Sequence, residues 1–245
     1  MGIIFANEKA IDRMRCLEAF DRHLLFRMPI NTAVDARVAD HTDLSLFVLD
    51  AVFVAPNIYE SFVERLDEMK HTLTFQEELF KFLEDRLICG TNTSKKEYPH
   101  NIGYNAVKLK EHFFHKLKHT ETKILKSINC DRIEVNQGYT RCSTMVLTEE
   151  AVITEDAGLA LVYRAYGYDV LVIEKGHIVL PGFNYGFFGG TGGVIEDALV
   201  LNGALKYHPD EIAIKNFVHG LGLRIVELHD GPLIDCGSIL YLSTK

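Results

Sequence analysis

TRCSTMVLTEEAVITEDAGLALVYRAYGYDVLVI, residues 140–173, decides the fold. Residues 143–147 and 151–154 are short runs rich in apolar and β-branched side chains, and Thr148, Glu149 and Glu150 interrupt them, which predicts a hairpin. Asp156 is placed to cap a helix, because its carboxylate can accept from the free N–H groups of a first turn. Leu159, Val162, Tyr163 and Tyr166 then recur at the spacing of one helical face. Gly167 stands where a left-handed residue ends such a helix. The continuous apolar run Val170, Leu171, Val172, Ile173 predicts a strand buried on both faces. The unit is β-β-α-β.

Outward from this unit the plan recurs. Upstream, YNAVKL, a turn at Lys110 and Glu111, HFFH, a helix over 120–129 and a strand over 132–135 repeat it. Further upstream, LSLFVLD and AVFVA form a hairpin, followed by a helix carrying Tyr59, Phe62, Val63 and Leu66. An insertion near 69–74, a helix over 75–87 and a strand over 86–89 complete that copy. Downstream, FNYGFFGGTGG (183–193) is glycine-rich but lacks the Gly-Lys-Ser/Thr of a phosphate loop. VIEDALVLNG after it reads as strand, so the glycines mark a close backbone approach. A helix starting near Pro209 and a strand over 223–228 follow.

The chain ends in one strand, 238–242, and begins with strand (2–5), helix (8–20) and strand (22–27). Joined, the two ends make a fifth unit. Self-similar units of this length predict radial repetition, and closing the ring with a terminal strand hides an open sheet edge. The expected fold is therefore α/β: a five-bladed α/β propeller in a single domain, 1–245. Its blades are near 34–90, 98–136, 138–180 and 183–230, with 231–245 joined to 1–31.

Composition narrows the function classes. The 245 residues are 47% hydrophobic and 24% charged, with a net charge of −8. Counterion-releasing contact with nucleic acid needs clustered Lys and Arg, which this balance opposes. No run reaches the roughly 20 apolar residues of a membrane span, and MGIIFANEKA lacks a charged start followed by an apolar core, so no signal peptide is expected in it. The five cysteines are scattered without a CxxC pair, so neither a zinc site nor a disulfide scaffold is implied. The expected setting is a reducing cytoplasm. No cofactor is implied. His112, His115 and His119 lack a placed acidic partner and read as exposed histidines rather than metal ligands.

A ring of five β-β-α-β units resembles the pentein, or guanidine-modifying-enzyme, fold of deiminases, amidinotransferases and the ribosome anti-association factor. YPHNIGYNAV, QGYTRCST, GHIVLPGFNYGFFGG and DGPLIDCGSI are similar to segments of a bacterial family of this fold that has no assigned chemistry. The resemblance runs from about Val34 to Leu242. It implies a cysteine nucleophile in the last blade, a histidine moving protons and acids holding a guanidinium. Cys236, in IDCGS, resembles that nucleophile; its other reading is a small residue packed in the core. His41-Thr42-Asp43 resembles the H-x-D pair of deiminases, and an extended backbone would aim His41 and Asp43 to one side. The pair lies in the first complete blade rather than in the one preceding the cysteine, a departure from those enzymes. A second departure is the acid-free glycine motif at Gly189 and Gly190.

Arg141, Asn105 and Ser143 precede or open inner strands and are expected to line the central channel as ligand-binding groups. Each also has a local reading: a strand-end ion pair for Arg141, backbone caps for Asn105 and Ser143. Asn101 and Tyr104 are further candidates. Two functions stand open. One is a cysteine-dependent hydrolase or transferase acting on a C–N bond of a small guanidino- or amide-type substrate in the channel. The other is a non-catalytic protein that binds a small anion through Arg141, or a protein partner through a face carrying Phe183, Phe187 and Phe188.

Overall fold

The computed structural model describes residues 1–73 and 76–244. Five three-stranded sheets organise it, and each repeats one pattern. The first strand pairs antiparallel with the second, and the second pairs parallel with the third across a helical crossover. The unit read from residues 140–173 becomes β9 (Thr144–Val146), β10 (Ala151–Thr154), α5 (Ala157–Ala165) and β11 (Asp169–Val172). Leu159 N–H donates to Asp156 Oδ1 (2.9 Å), so the cap forms as expected. Gly167 adopts φ +85° at the helix end.

The copy before it is β6 (Val107–Leu109), β7 (His112–His115), α4 (Thr122–Ser127) and β8 (Asp131–Glu134). Before that come β3 (Leu46–Val48), β4 (Val52–Val54), α2 (Pro56–Thr72), α3 (Glu77–Glu84) and β5 (Leu87–Cys89). Thr74 of the expected insertion and Phe75, the expected start of α3, lie outside the described residues. Downstream are β12 (Gly192–Ile195), β13 (Ala198–Leu201), α6 (Glu211–Gly220) and β14 (Arg224–Glu227). The fifth sheet joins the two ends: β15 (Leu240–Ser243) pairs with β1 (Gly2–Ala6), which pairs with β2 (Leu24–Arg27) after α1 (Glu8–Met14). The expected first helix stops early, at Met14, with a short 3₁₀ turn at Glu18–Phe20.

Burial grades across every sheet. The central strands β1, β4, β10 and β13 are buried along their whole length, because a neighbour covers them on each edge and core covers their faces. The third strands are the outer ones. β11 alternates between exposed ends and half-buried middle residues, and Val172 is 40% exposed. The expectation that 170–173 is buried on both faces is corrected by this: an apolar run does not distinguish a central strand from a rim strand. The core holds several clusters between sheets, the largest built on Phe5, Phe26, Phe53, Phe62 and Phe113. Phe26 stacks on Phe62 at 4.2 Å, tying the sheet of the two termini to α2.

Two segment classes matter for function. Residues of the first strands β3, β6, β9, β12 and β15 surround one common hollow. Residues just ahead of those strands, in the connections that lead into them, gather around a separate cavity.

Candidate active site

The cavity encloses about 370 Å³, and His41, Asn101, Tyr139, Cys142, Phe187 and Asp235 are among its lining. Each comes from a segment leading into a first strand. His41 and Leu44 precede β3, Tyr98 and Asn101 precede β6, Tyr139 and Cys142 precede β9, Tyr185 and Phe187 precede β12, and Asp235 precedes β15. Five short connections converge here because five strands start here.

His41 has extended backbone but stands directly ahead of a 3₁₀ turn, Thr42–Leu44, which takes in Asp43. The alternation expected for His41 and Asp43 therefore does not apply. His41 lines the cavity with Nδ1 3.7 Å from Asp235 Oδ1. Asp43 is fully buried behind Cys142. Its Oδ2 accepts from Ser238 Oγ (2.6 Å) and from the Cys142 thiol (3.1 Å), while Oδ1 has no hydrogen-bond partner among the described residues. Such an oxygen carries a desolvation cost unless a donor reaches it.

Asp235 is held by two backbone N–H groups, Phe187 to Oδ2 (2.9 Å) and Gly237 to Oδ1 (3.0 Å). Burial pushes this carboxyl above its ordinary range; the charge of His41 draws it down, Asp43 pushes it up, and the two N–H groups draw it down. Two glycines make room. A Cβ on Gly190 would lie 2.0 Å from Asp235 Oδ1. Gly237 has φ +77°, and a Cβ there would lie 2.3 Å from that of His41. The close approach expected of the glycine-rich segment is thus an approach to an acid supplied by another part of the chain. Behind Asp235, burial pushes the Glu155 carboxyl up to about 8.

Cys142 and Cys236 differ in surroundings. Residues 141–143 form a turn, with Ser143 N–H donating to Tyr139 O and Thr144 N–H to Arg141 O. That turn aims Cys142 at the cavity. Asn105 Nδ2 donates to its sulfur (3.0 Å), and the thiol donates to Asp43. Cys236 follows Asp235 but faces the other way, its thiol 3.4 Å from Gly190 O and packed with Ile4, Ala10, Ile11 and Ile239. It is absent from the lining of the cavity. Burial, then neighbouring carboxylates, push both thiols well above the ordinary value.

The other expected ligand-binding residues spread apart. Asn105 is buried and spends its amide inside the protein: Oδ1 accepts from the N–H groups of Arg141 (2.9 Å) and Cys142 (3.1 Å), and Nδ2 also donates to Asp43 O (3.2 Å). It positions the Cys142 turn and is absent from the linings of both the cavity and the hollow. Ser143 is buried, with a hydroxyl that has no hydrogen-bond partner among the described residues. Arg141 lines the hollow between the first strands instead of the cavity. Asn101 does line the cavity, its Nδ2 donating to Tyr139 Oη (2.9 Å), whereas Tyr104 lines the hollow. His115, expected to be exposed, is fully buried between Thr120 Oγ1 (2.7 Å) and Gly138 O (3.2 Å).

Cys142, Tyr98, Tyr139 and Ser238 are not among the candidates that the sequence offers, and Asp235 enters there only within IDCGS, as the residue before Cys236. The available signal was QGYTRCST itself, with its cysteine between two selected residues. Tyr98, Tyr139, Tyr185 and Phe187 form an aromatic collar, with Tyr139 and Phe187 6.2 Å apart and Tyr98 and Tyr139 5.7 Å apart.

A family model described as "Family of unknown function (DUF6873)" matches residues 13–240. No curated protein matches. Among solved structures, an amidinotransferase from the saxitoxin biosynthetic pathway of Microseira wollei aligns with a TM-score of 0.53 at 10% identity, covering 100% of this chain and 94% of its own. Agmatine deiminase from C. jejuni aligns at 0.51 and 10% identity, over 98% and 80%. A dimethylarginine dimethylaminohydrolase adduct with S-methyl-L-thiocitrulline aligns at 0.51 and 10% identity, over 93% and 92%. At these identities the likeness establishes the fold. It is the α/β pentein fold, and the five three-stranded sheets fit a five-blade arrangement.

Proposed function

Because the chain belongs to the DUF6873 family of unknown function, whose description assigns no chemistry, we propose a function from the site itself: a cysteine-dependent hydrolase or transferase acting on a C–N bond of a small guanidino- or amidine-type cation. The observation that carries this reading is the pairing of a cavity-lining thiol with two buried carboxylates. Asp235 lines the cavity beside His41, and Asp43, buried behind Cys142 and outside that lining, adds its charge from there. A planar cation with several N–H donors is the ligand that such a site stabilises. The aromatic collar adds attraction for a cation held over ring faces. The fold supports the reading only by analogy, since one fold hosts many activities.

In this reading the cation does part of the chemistry. Its charge favours the thiolate of Cys142, which the resting site disfavours. Cys142 Sγ passes its proton to Asp43 Oδ2 and bonds to the amidinium carbon. The C–N bond breaks as the departing nitrogen takes a proton from His41. Water, or an acceptor amine, then attacks the carbon bonded to sulfur, His41 removes the proton of the attacking group, and the departing Cys142 sulfur takes its proton back from Asp43. Cys142, rather than Cys236, is the nucleophile, because Cys236 Sγ faces Gly190 O and apolar side chains. A second reading, a non-catalytic receptor for the same cation, is favoured by the resting protonated thiol.

The test compares two labels at one cysteine, read by peptide mass spectrometry. The cationic reagent 2-chloroacetamidine should modify Cys142 at least about tenfold faster than neutral chloroacetamide, a preference of about 1.4 kcal/mol. Asp43→Asn should erase that preference, and Cys142→Ser should abolish turnover of guanidines and amidines in a substrate panel. Modification at Cys236 instead, or equal rates for the two reagents, overturns the reading. Cation-selective labelling without any turnover selects the receptor.

A further inference from the structure

The hollow between the first strands is separate from the cavity just described. It encloses about 320 Å³, and all five sheets contribute to its wall. Leu46, Val107, Val146, Val194 and Leu240 stand for the five strands in it, so the wall is largely apolar. The volume is near the lower bound of small-molecule pockets, roughly 300–1,000 Å³.

Arg141 breaks the apolar character. Its Nη1 donates to Thr144 O (2.6 Å), and among the described residues this is the one hydrogen bond of its side chain. Among those residues it also forms no ion pair within 4.0 Å. A guanidinium carries five N–H donors in a planar fork. Most of that fork is therefore uncommitted, at a place where burial already disfavours the charge. The acid it feels most, Asp43, attracts it without meeting it. Asp43 is turned toward Ser238 and Cys142, on the cavity side of the same turn. Arg141 is half-buried and lines the hollow, so its uncommitted N–H groups are open to a ligand there.

We infer that this second hollow binds a small organic carboxylate, with its head on the Arg141 fork and its apolar stem between the first strands. A carboxylate matches the fork with two parallel hydrogen bonds. Lys108, the other cation of the lining, adds attraction for the carboxylate, and the apolar side chains of the first strands favour an organic stem over a bare phosphate. The site is independent of the chemistry proposed for Cys142, although the two are neighbours in one turn. Asn105 Oδ1 accepts from both the Arg141 and the Cys142 N–H groups, so that turn is fixed whichever side is occupied.

The experiment titrates the full chain with sodium pentanoate at constant ionic strength, using chloride, inorganic phosphate and pentylammonium as comparison probes. Arginine Nε–Hε resonances are followed by NMR, and the Arg141 signal is identified by its loss in Arg141→Lys. Pentanoate should shift that one signal saturably, and chloride, phosphate and pentylammonium should not. Arg141→Met, which keeps an apolar stem in the hollow, should weaken pentanoate binding at least about tenfold by calorimetry. Cys142→Ser should leave it unchanged, which separates this inference from the reading of the other cavity. The inference is overturned if pentanoate does no more than chloride, if phosphate binds equally well, or if Cys142→Ser removes the binding. The wild-type NMR titration decides the matter even where Arg141→Met does not fold.

Discussion

His115 shows how a buried polar side chain sets a pH limit on this protein. It is completely buried, and burial lowers its pKa from 6.5 to about 4. Gly138 O can only accept, so Nε2 carries the proton of the neutral ring. Between those two values the unfolded chain binds a proton that the folded chain refuses. Stability is therefore full above about pH 6.5 and is lost as pH falls toward 4, by about 3 kcal/mol in total. Urea unfolding of wild type and His115→Gln at pH 7 and pH 4.5 checks this: the variant should show a smaller loss between the two. An equal loss in both would assign the acid sensitivity to other groups. The same scale governs the candidate site. The turn at 141–143 sets Cys142 toward the cavity, where its sulfur meets Asn105 and Asp43, while Cys236 turns its thiol to Gly190 O.

At the scale of elements, α5 carries its own start and stop. Asp156 Oδ1 accepts from Leu159 N–H, and Oδ2 accepts from Gln137 Nε2 (2.9 Å), so one carboxylate caps the helix and ties it to the segment after β8. Asp156→Ala should cost about 1 kcal/mol, a fall in Tm of about 3 °C for a chain of this size. Thermal unfolding measures it, and Asp156→Asn should recover most of the loss because the amide oxygen can still accept. These local signals are why the β-β-α-β unit was legible: alternation, a capping acid and a terminal glycine all lie within residues 140–173. The depth of each strand was not. β10 and β11 are both apolar, yet β10 is central and β11 is on the rim, since only β10 has a partner on each edge.

For the whole molecule, the sheet formed by both ends is the closure. β1 is paired on one side with β2 and on the other with β15, in the register Ile3 to Leu242 and Phe5 to Leu240. Removing residues 240–245 would open the edge of β1 and uncover apolar core, an invitation to intermolecular pairing. Size-exclusion chromatography with light scattering should show oligomers and aggregates for the truncated chain. A monomeric product with unchanged Tm would mean that closure contributes nothing. The five-unit pattern and the joining of the two ends were determined by the sequence itself, because periodicity, caps and turn residues are short-range and each unit repeats them. The candidate site was decided only by the tertiary structure. Its candidate cysteine is Cys142 because the turn ahead of β9, which takes in Ser143 of the expected strand, presents it to the cavity, and that turn is held by Asn105, far away in the chain. Its acids, Asp43 and Asp235, meet only when β3 and β15 are brought side by side. No local spacing encodes such a meeting; it follows from packing five separate strand starts around one cavity.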